Sequence, residues 1–270
     1  MEGWIERRPL VGVAGVPPLP GSAGYRAASY DDVEARVLAD AAAYADAGFD
    51  AVMIQNVGDL PVAASAGPET VAWMAALGRA VRRRVDLPLG VSVLKNDGRA
   101  ALAIAQAAGA EFVRVKVWVG AMLGAEGVVE GVARDVLGYR RWIGAEDVAI
   151  WADVLDRTGV PLVPAAVEEV AMEAVDFGRA QGLVVTGRSE AETLEWLERV
   201  RPVAGGVPVL VGGGVDAGNL GAMLARADGA IVATAVKVGG RRSNPVDPAL
   251  AAALVAAANA CRTEPGEVVR

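Results

Sequence analysis

The segment Phe112–Trp118 carries two basic side chains within a predicted strand. It reads Phe-Val-Arg-Val-Lys-Val-Trp, and side chains alternate between the two faces of a strand. The three valines therefore share one face, while Arg114, Lys116 and Trp118 share the other. In a closed barrel the valines would pack against helices, and both cations would point into the barrel. Because an unpaired buried charge costs several kcal/mol, this pattern indicates either a binding pocket or an ion-pair layer that fills the barrel.

Acidic side chains lie at the carboxyl ends of the two predicted strands on either side of Phe112–Trp118. Asp153 lies near the carboxyl end of one strand and is available to Lys116, as a counter-ion or as a general acid or base. Asp97 follows another strand and is the second candidate for acid–base chemistry. Since a helix is predicted directly after Asp97, the residue can equally be a helix cap. Barrel enzymes keep their chemistry at the carboxyl ends of the strands, so we predict that Asp153, Lys116 and Asp97 are catalytic.

Glycines follow the seventh predicted strand, in the run Val211-Gly212-Gly213-Gly214-Val215. In many barrels the loops after strands seven and eight bind phosphate through backbone amides and a helix N-terminus. Glycine lets the backbone approach an anion closely, although a tight turn would need the same residues. We predict a phosphate site at Gly212, Gly213, Gly214, Ala233 and Thr234. Lys237 adds positive charge nearby, whereas Arg241 and Arg242 are expected on the solvated surface.

The elements that would position these residues alternate regularly. Short runs rich in β-branched residues are each followed by a stretch with helical spacing, which predicts parallel strands with right-handed crossovers. Eight such runs favour a single (β/α)8 TIM barrel, an α/β fold, over residues 1–270; an open doubly wound sheet is the alternative. The predicted strands are Val11–Val16, Ala51–Asn56, Leu89–Leu94, Phe112–Trp118, Ala149–Val154, Gly182–Thr186, Val209–Val211 and Ala230–Ala233.

Local signals mark several helix ends. Ser189 with Glu192 forms a predicted capping box, and Pro68 is placed for a first helical turn. Gly48 and Gly109 stand where helices should stop. The longest stretches without periodicity follow strands one, two and four, and loops of this length on the active face are expected to cover a site.

Composition narrows the class of protein. The chain has 270 residues, 53% of them hydrophobic, and a net charge of −7, so a nucleic-acid partner is not expected. It contains no histidine, which excludes Ser-His and Cys-His nucleophile pairs and His-ligated zinc. Proton transfer must then fall to Asp, Glu, Lys, Tyr or water.

The expected compartment is the cytoplasm. Cys261 is the single cysteine, so no intramolecular disulfide can form. The N-terminal residues have acidic side chains and early prolines that are unlike a signal peptide. No apolar run is long enough to span a bilayer. We therefore expect no membrane partner, and we expect a homo-oligomer.

Taken together, these motifs resemble the BtpA/SgcQ family of barrel proteins, nearly from end to end. The founding member of that family is linked to photosystem I accumulation, other members are similar to sugar-metabolism proteins, and the family is similar to the phosphate-binding barrels. The matching segments are Pro17–Ser22, Gln55–Pro61, Pro88–Asp97, Ala101–Ala105, Arg114–Val117, Ala152–Val154, Val184–Gly187 and Asn244–Asp247.

The chain departs from the family pattern at positions that could carry chemistry. The family usually has His where this chain has Gly15, Glu where it has Gln55, and Lys-His where it has Arg157-Thr158. A doubled Thr-Gly pattern survives only as Thr186-Gly187. Either the substrate and reaction differ from those of the family, or activity has been lost. The polar residues that remain at strand ends favour a different substrate and reaction.

The sequence therefore predicts an enzyme that acts on a small phosphorylated metabolite, a phosphosugar or a nucleotide, with lyase, isomerase and glycosidic-bond chemistry all open. Arg114 and Lys116 would stabilise developing negative charge. No cofactor is predicted with certainty, although carboxylates could recruit Mg²⁺. The alternative is a non-catalytic assembly factor or ligand-binding regulator. The predicted substrate-binding residues are Arg114, Asn56, Asp59, Asn96, Gln55, Arg157, Thr186 and Lys237.

Overall fold

The computed structural model describes residues 3–263. Met1 and Glu2, at the start of the segment inspected for a signal peptide, lie outside the described residues, as do residues 264–270 at the end of the predicted domain. None of the described helices is both long and apolar enough to cross a membrane.

Eight parallel strands close into a barrel. Around the barrel the order is β1, β2, β3, β4, β7, β9, β10 and β11, and β11 pairs again with β1. The strands along the chain are β1 (Leu10–Gly15), β2 (Ala51–Gln55), β3 (Leu89–Ser92), β4 (Phe112–Val115), β5 (Ala121–Gly124), β6 (Gly127–Glu130), β7 (Ala149–Asp153), β8 (Gly159–Pro161), β9 (Gly182–Val185), β10 (Val209–Val211) and β11 (Gly229–Val232).

Helices follow the barrel strands and surround them. They are α1 (Tyr30–Ala47), α2 (Pro68–Arg84), α3 (Gly98–Ala108), α4 (Ala133–Trp142), α5 (Val167–Asp176), α6 (Glu190–Val200), α7 (Leu220–Leu224) and α8 (Pro248–Thr263). The predicted TIM barrel is confirmed, since each predicted strand overlaps an observed barrel strand, and the open doubly wound alternative is wrong.

The helix ends follow the local signals in the sequence. Ser189 Oγ accepts a hydrogen bond from the Glu192 backbone amide at 3.1 Å, as the predicted capping box requires. Pro68 begins α2. Gly48 and Gly109 end α1 and α3 with φ values of +91° and +73°, which are accessible to glycine without strain.

The alternation predicted for Phe112–Trp118 holds for only part of that segment. Strand β4 ends at Val115, and Val113 and Val115 pack in the layer between strands and helices, as predicted. Trp118 was expected to face the lumen beside Arg114, and this is wrong. Because the chain leaves the strand after Val115, Trp118 packs in the outer layer, and its indole N–H donates to the Gly178 carbonyl at 2.9 Å.

Aromatic rings fill the barrel near the amino-terminal ends of its strands. Phe112 and Trp151 stack inside it with ring centroids 3.9 Å apart. Trp4, from the N-terminal segment, lies 6.0 Å from each of these rings. The aliphatic side chains of Val11, Val13 and neighbouring strands complete this apolar cluster. The lumen is therefore filled at its amino-terminal end, which leaves space only at the carboxyl ends of the strands.

A second, three-stranded antiparallel sheet stands beside the carboxyl ends of the barrel strands. The loop after β4 forms the hairpin β5–β6, and β8, from the loop after β7, pairs with β5. The long loop after the fourth strand was predicted to cover a site. The sequence analysis did not predict that it would fold as strands. Below we call β5, β6 and β8 the mouth sheet.

Candidate active site

A cavity of about 330 Å³ opens at the carboxyl ends of the barrel strands. On seven strands, a residue that lines the cavity comes two positions after a residue of the apolar cluster inside the barrel. The two side chains share a face, because side chains alternate along a strand. Val13 is followed by Gly15 in this way, and Phe112 by Arg114. The lining residues related in this way are Gly15, Gln55, Arg114, Asp153, Thr186, Gly212 and Ala233.

Arg114 and Asp153 form a two-pronged ion pair at the base of the cavity. Arg114 Nε donates to Asp153 Oδ1 at 2.7 Å, and Nη2 donates to Oδ2 at 2.8 Å. The side chains are 5% and 2% exposed. The charge of Asp153 raises the pKa of Arg114 against the opposing effect of burial. Both predicted residues therefore line the cavity, and the shortest hydrogen bonds of each side chain join them to each other.

Lys116 also reaches the cavity, although it lies just beyond the end of β4. Its Nζ is 3.5 Å from Asp153 Oδ2, and the side chain is 20% exposed. Burial and the adjacent positive charge of Arg114 lower the pKa of Lys116, and together they outweigh the attraction of Asp153 and Asp156. The charged form of Lys116 is thus less favoured here than it would be in water.

A second ion-pair cluster connects the barrel to the mouth sheet. Lys95 follows β3, and its Nζ lies 3.0 Å from Glu126 Oε2 and 3.1 Å from Asp156 Oδ2. Glu126 occupies the turn between β5 and β6, while Asp156 lies in the loop after β7. Burial opposes the charge of Lys95, but the two carboxylates outweigh it and raise its pKa. This cluster holds the hairpin beside the cavity.

The glycine loop after β10 also borders the cavity. The backbone amides of Gly213 and Gly214 have no hydrogen-bond acceptor among residues 3–263. The guanidinium of Arg157 is close to both glycines: a Cβ on Gly213 would lie 3.5 Å from its Nη2, and one on Gly214 would lie 3.9 Å from its Nη1. Thr234 lies on the same rim. Free amides beside a guanidinium are suited to an anion.

Gly212 has a different reason to be glycine. A Cβ at this position would lie 2.4 Å from Thr186 Oγ1 and 2.7 Å from Arg114 Nη2. Its missing side chain therefore makes room for Arg114, and its carbonyl lies 3.5 Å from Arg114 Nη1. Thr186 is 4% exposed, and its hydroxyl has no partner in the described part of the chain. That hydroxyl is buried beside Gly212 and is not exposed in the cavity.

Lys237 borders the cavity, but its amine is directed elsewhere. The residue is 1% exposed, and its Nζ donates to the Asp40 carboxylate of α1. Burial and the charge of Arg36 lower the pKa of Lys237 against the attraction of Asp40. Asp40 also accepts a hydrogen bond from the Val246 amide at 2.8 Å. Lys237 was predicted to bind substrate, whereas its amine is engaged in a pair that fixes the loop after β11 to α1.

Four predicted site residues do not line the cavity, and they connect loops instead. Asn56 donates to Asp59 at 2.7 Å and accepts from the Leu94 amide at 2.7 Å. Asp59 accepts from the Leu19 amide at 2.7 Å. Asn96 accepts from the Val117 amide and donates to the Glu130 carbonyl, at 2.8 and 2.9 Å. These side chains hold the loops after β1, β2, β3 and β4 in place.

Asp97 is the fourth residue of this kind. Its Oδ1 accepts from the Ala100 amide at 2.9 Å at the start of α3, and its Oδ2 accepts from the Ala66 amide at 2.8 Å. Asp97 therefore caps helix α3, which was the alternative role that the sequence allowed. Asp97 does not line the cavity, so it does not lie where it was predicted to act as a general acid or base.

Four charged residues that line the cavity were not predicted as site residues. Lys95, directly after the third predicted strand, was given no role, and Arg242 was expected on the solvated surface. Asp156 lies three residues after Asp153 at the end of β7, so its position beside a recognised strand end could have identified it. Glu126 had no such signal, because its place depends on the hairpin.

Comparison with known proteins identifies the family. The family model described as the BtpA family matches residues 6–260. The photosystem I biogenesis protein BtpA of Synechocystis sp. is 34% identical over 252 residues, which cover 92% of this chain and 87% of that protein. This chain belongs to the BtpA family. An uncharacterized protein of Pyrococcus horikoshii is 38% identical, over 90% of this chain and 92% of that protein.

Solved structures with the same fold are more distant from this BtpA-family chain. A native KDPGal structure aligns with a TM-score of 0.58 and 20% identity, over 94% of this chain and 95% of the other. Thiamine phosphate pyrophosphorylase from Pyrococcus furiosus aligns with a TM-score of 0.58 and 15% identity, over 96% and 99%. At this level of identity the likeness is one of fold.

Four of the positions at which the sequence was expected to depart from the family pattern line the cavity. They are Gly15, Gln55, Arg157 and Thr158. A Cβ on Gly15 would lie 2.9 Å from Val57 Cγ2 and 3.1 Å from the Arg242 carbonyl, so the loops after β2 and β11 close over this position.

Proposed function

We propose that this BtpA-family protein is an enzyme that acts on a small phosphorylated metabolite. The observation that carries the proposal is the charge of the cavity. Three acidic residues line it, against the five basic residues Lys95, Arg114, Lys116, Arg157 and Arg242. Lys237 also borders it, but its charge is paired with Asp40 outside the cavity. The whole chain has a net charge of −7. A concave site with excess positive charge in an acidic protein favours an anionic ligand.

The phosphate is proposed to bind between the glycine loop and Arg157. The free amides of Gly213 and Gly214 and the Arg157 guanidinium border one side of the cavity. Helix α7 is only five residues long, so the loop amides, rather than a helix terminus, would supply the donors. Ala233 and Thr234 complete the rim. Arg242 adds a further cation there.

The size of the cavity favours a phosphosugar over a nucleotide. Small-molecule sites commonly measure about 300–1,000 Å³, and this cavity, at about 330 Å³, is near the lower end. Arg114 and Lys116 would stabilise negative charge that develops on the substrate. Asp153 would hold Arg114 in position and exchange a proton with Lys116, since its Oδ2 faces both groups.

Recruitment of Mg²⁺ by carboxylates was a separate expectation from the sequence. Within residues 3–263, no group of three or more His, Cys, Asp or Glu side chains is arranged to hold a metal ion. If the reaction uses Mg²⁺, phosphate and water would supply most of its ligands, as is common for this ion.

We also expect a homo-oligomer, which light scattering of the purified protein would test.

The second candidate is a non-catalytic assembly factor or ligand-binding regulator. Two observations favour it: a relative is named as a photosystem I biogenesis protein, and the acidic groups in the cavity are all paired with basic ones. The open volume above these pairs favours the enzyme, since a purely structural charge layer would fill the barrel.

Thermal unfolding with inorganic phosphate tests the proposal. Phosphate should raise the melting temperature above that in chloride of equal ionic strength, because a ligand that binds only the folded state stabilises it. No difference between the two anions at millimolar concentration would contradict the phosphate site.

A further inference from the structure

Lysine occurs in this chain only at the cavity. The sequence contains 26 basic residues, of which three are lysines: Lys95, Lys116 and Lys237. All three line the cavity. An arginine would supply charge equally well, but its guanidinium does not lose a proton in proteins, whereas a lysine amine can do so and become a nucleophile.

The three lysines differ in how well their charge is neutralised. Lys95 lies within 3.1 Å of two carboxylates. Lys237 donates to Asp40, in an ion pair closed to solvent. Lys116 makes one contact within hydrogen-bond range among the described residues, at 3.5 Å from Asp153 Oδ2. Charged pairs normally approach to about 2.7–2.9 Å, so Lys116 is the least neutralised of the three.

Arg114 is the reason why Lys116 is the least neutralised of the three lysines. It already binds both oxygens of Asp153, at 2.7 and 2.8 Å. One carboxylate therefore serves two cations, and the guanidinium has the better geometry. The second acidic group close enough to act on Lys116, Asp156, is engaged by Lys95 and by Thr158. A partly buried amine beside a second cation is an arrangement that activates a lysine for covalent chemistry.

We propose that Lys116 is a nucleophile that forms an imine with a carbonyl group of the substrate. The inference rests on the proposed function and narrows its substrate class to phosphorylated aldehydes and ketones. Burial and the charge of Arg114 lower the pKa of Lys116, while the pKa of Lys95 is raised. At neutral pH the free amine is therefore more accessible at Lys116 than at Lys95.

The step balances with groups that the cavity contains. The neutral Lys116 amine attacks the carbonyl carbon, and the C=O π electrons move to oxygen, which takes up a proton. Asp153 Oδ2 accepts a proton from the nitrogen and returns it to the hydroxyl, which leaves as water. The product is a protonated imine whose positive charge replaces the ammonium charge beside Asp153. The net change is amine plus carbonyl plus one proton to iminium plus water.

An iminium accepts electrons from a bond adjacent to the former carbonyl carbon. Cleavage of a C–C bond there is lyase chemistry, and loss of a proton there is the first step of an isomerisation. Both classes were open on the sequence alone, together with glycosidic-bond cleavage. The imine favours the first two over the third.

Borohydride trapping tests this directly, because so few amines can compete. Wild-type protein is incubated with pyridoxal 5′-phosphate, an aldehyde that carries a phosphate, then reduced with borohydride and mapped by peptide mass spectrometry. We expect the reduced adduct on Lys116. Lys116→Arg, which keeps the positive charge, should lose at least about tenfold of the label, and the control Glu195→Gln, at an exposed residue outside the cavity, should retain it.

Two results would overturn the inference. One is label on Lys95, Lys237 or the N-terminal amine with Lys116 unmodified; the other is label that survives Lys116→Arg. A second measurement needs no variant: after reductive methylation with ¹³C-formaldehyde, the dimethylamine signal of Lys116 should titrate at lower pH than that of Lys95. The reverse order would contradict an activated Lys116.

Phosphate binding separates this inference from the proposed function. Trapping at Lys116 without thermal stabilisation by phosphate would support the amine and contradict the phosphorylated substrate. Stabilisation by phosphate with no trapping would support the phosphate site and contradict the imine. Competition by inorganic phosphate against trapping would support both.

Discussion

Arg114 and Asp153 face each other from the neighbouring strands β4 and β7, joined by two hydrogen bonds of 2.7 and 2.8 Å. Both side chains are buried, and Lys116 shares the same carboxylate from 3.5 Å. This one acidic group is therefore shared by two basic groups at the base of the cavity.

Neutralising Asp153 should destabilise the fold. Asp153→Asn keeps the shape of the side chain but leaves the buried Arg114 charge without its partner, so the free energy of unfolding should fall by about 3–5 kcal/mol. Urea denaturation measures the loss. As the control, Glu195→Gln removes one partner of an exposed i,i+4 pair with Arg199 and should leave the unfolding midpoint unchanged. A loss below about 1 kcal/mol in Asp153→Asn would contradict a tight ion pair and leave Asp153 a purely functional residue.

Two of the cavity lysines should respond in opposite directions to the same substitution. The lowered pKa of Lys116 means that the fold disfavours its charged form, so Lys116→Met should raise the free energy of unfolding by on the order of 1 kcal/mol. The raised pKa of Lys95 means the opposite, and Lys95→Met should lower it by about 3 kcal/mol, since two carboxylates lose their partner. Denaturation of both variants at neutral pH provides the comparison, and equal losses would refute the difference in environment.

The Lys95 cluster should contribute stability that depends on pH. Burial would raise the pKa of Asp156, but Lys116, Thr158 and Lys95 outweigh it and hold the pKa below its ordinary value of 3.8. A carboxyl group with a depressed folded pKa stabilises fully above its unfolded pKa and loses that contribution as pH falls through the folded pKa. The advantage of wild type over Asp156→Asn should therefore be constant from about pH 7 to about pH 5 and shrink below about pH 4. An advantage that persists unchanged at about pH 2 would show that the charge of Asp156 is not what stabilises the cluster.

Charge at the glycine loop should control phosphate binding. In Gly213→Asp the new carboxylate would lie beside Arg157, since a Cβ at this position stands 3.5 Å from its Nη2. Stabilisation by phosphate should disappear while the fold is retained. Gly213→Ala is the matched control, because its methyl group makes only ordinary contacts and adds no charge. If both variants responded to phosphate like wild type, the site would have to lie elsewhere.

Most of the fold could be predicted from the sequence, because strand and helix periods are local properties. Eight apolar runs identified eight barrel strands, and caps such as Ser189 and Gly48 marked helix ends. The prediction that failed, the placement of Trp118 in the lumen, depended on where strand β4 ends. Alternation places Trp118 in the lumen only if β4 continues past Val115, and the sequence contains no signal for that end.

The site could be predicted only in part. Strand ends located Arg114, Asp153, Gln55 and Thr186 in the cavity, because their register follows from the apolar residues two positions earlier. The same reasoning also selected Asn56 and Asp97, whose side chains bind backbone amides of neighbouring loops. A polar residue at a strand end can bind a ligand or hold a loop, and the choice depends on loop geometry that one sequence does not encode locally.

Direct titration with a phosphosugar and its unphosphorylated parent tests the central claim, that the cavity binds phosphorylated small molecules. Ribose 5-phosphate and ribose differ only in the group that Gly213, Gly214 and Arg157 would contact. Calorimetry on the wild-type protein should give an affinity for ribose 5-phosphate at least about tenfold higher than for ribose, a difference of about 1.4 kcal/mol. Equal affinities, or no binding of either compound while the protein is folded, would contradict a phosphate site in this cavity.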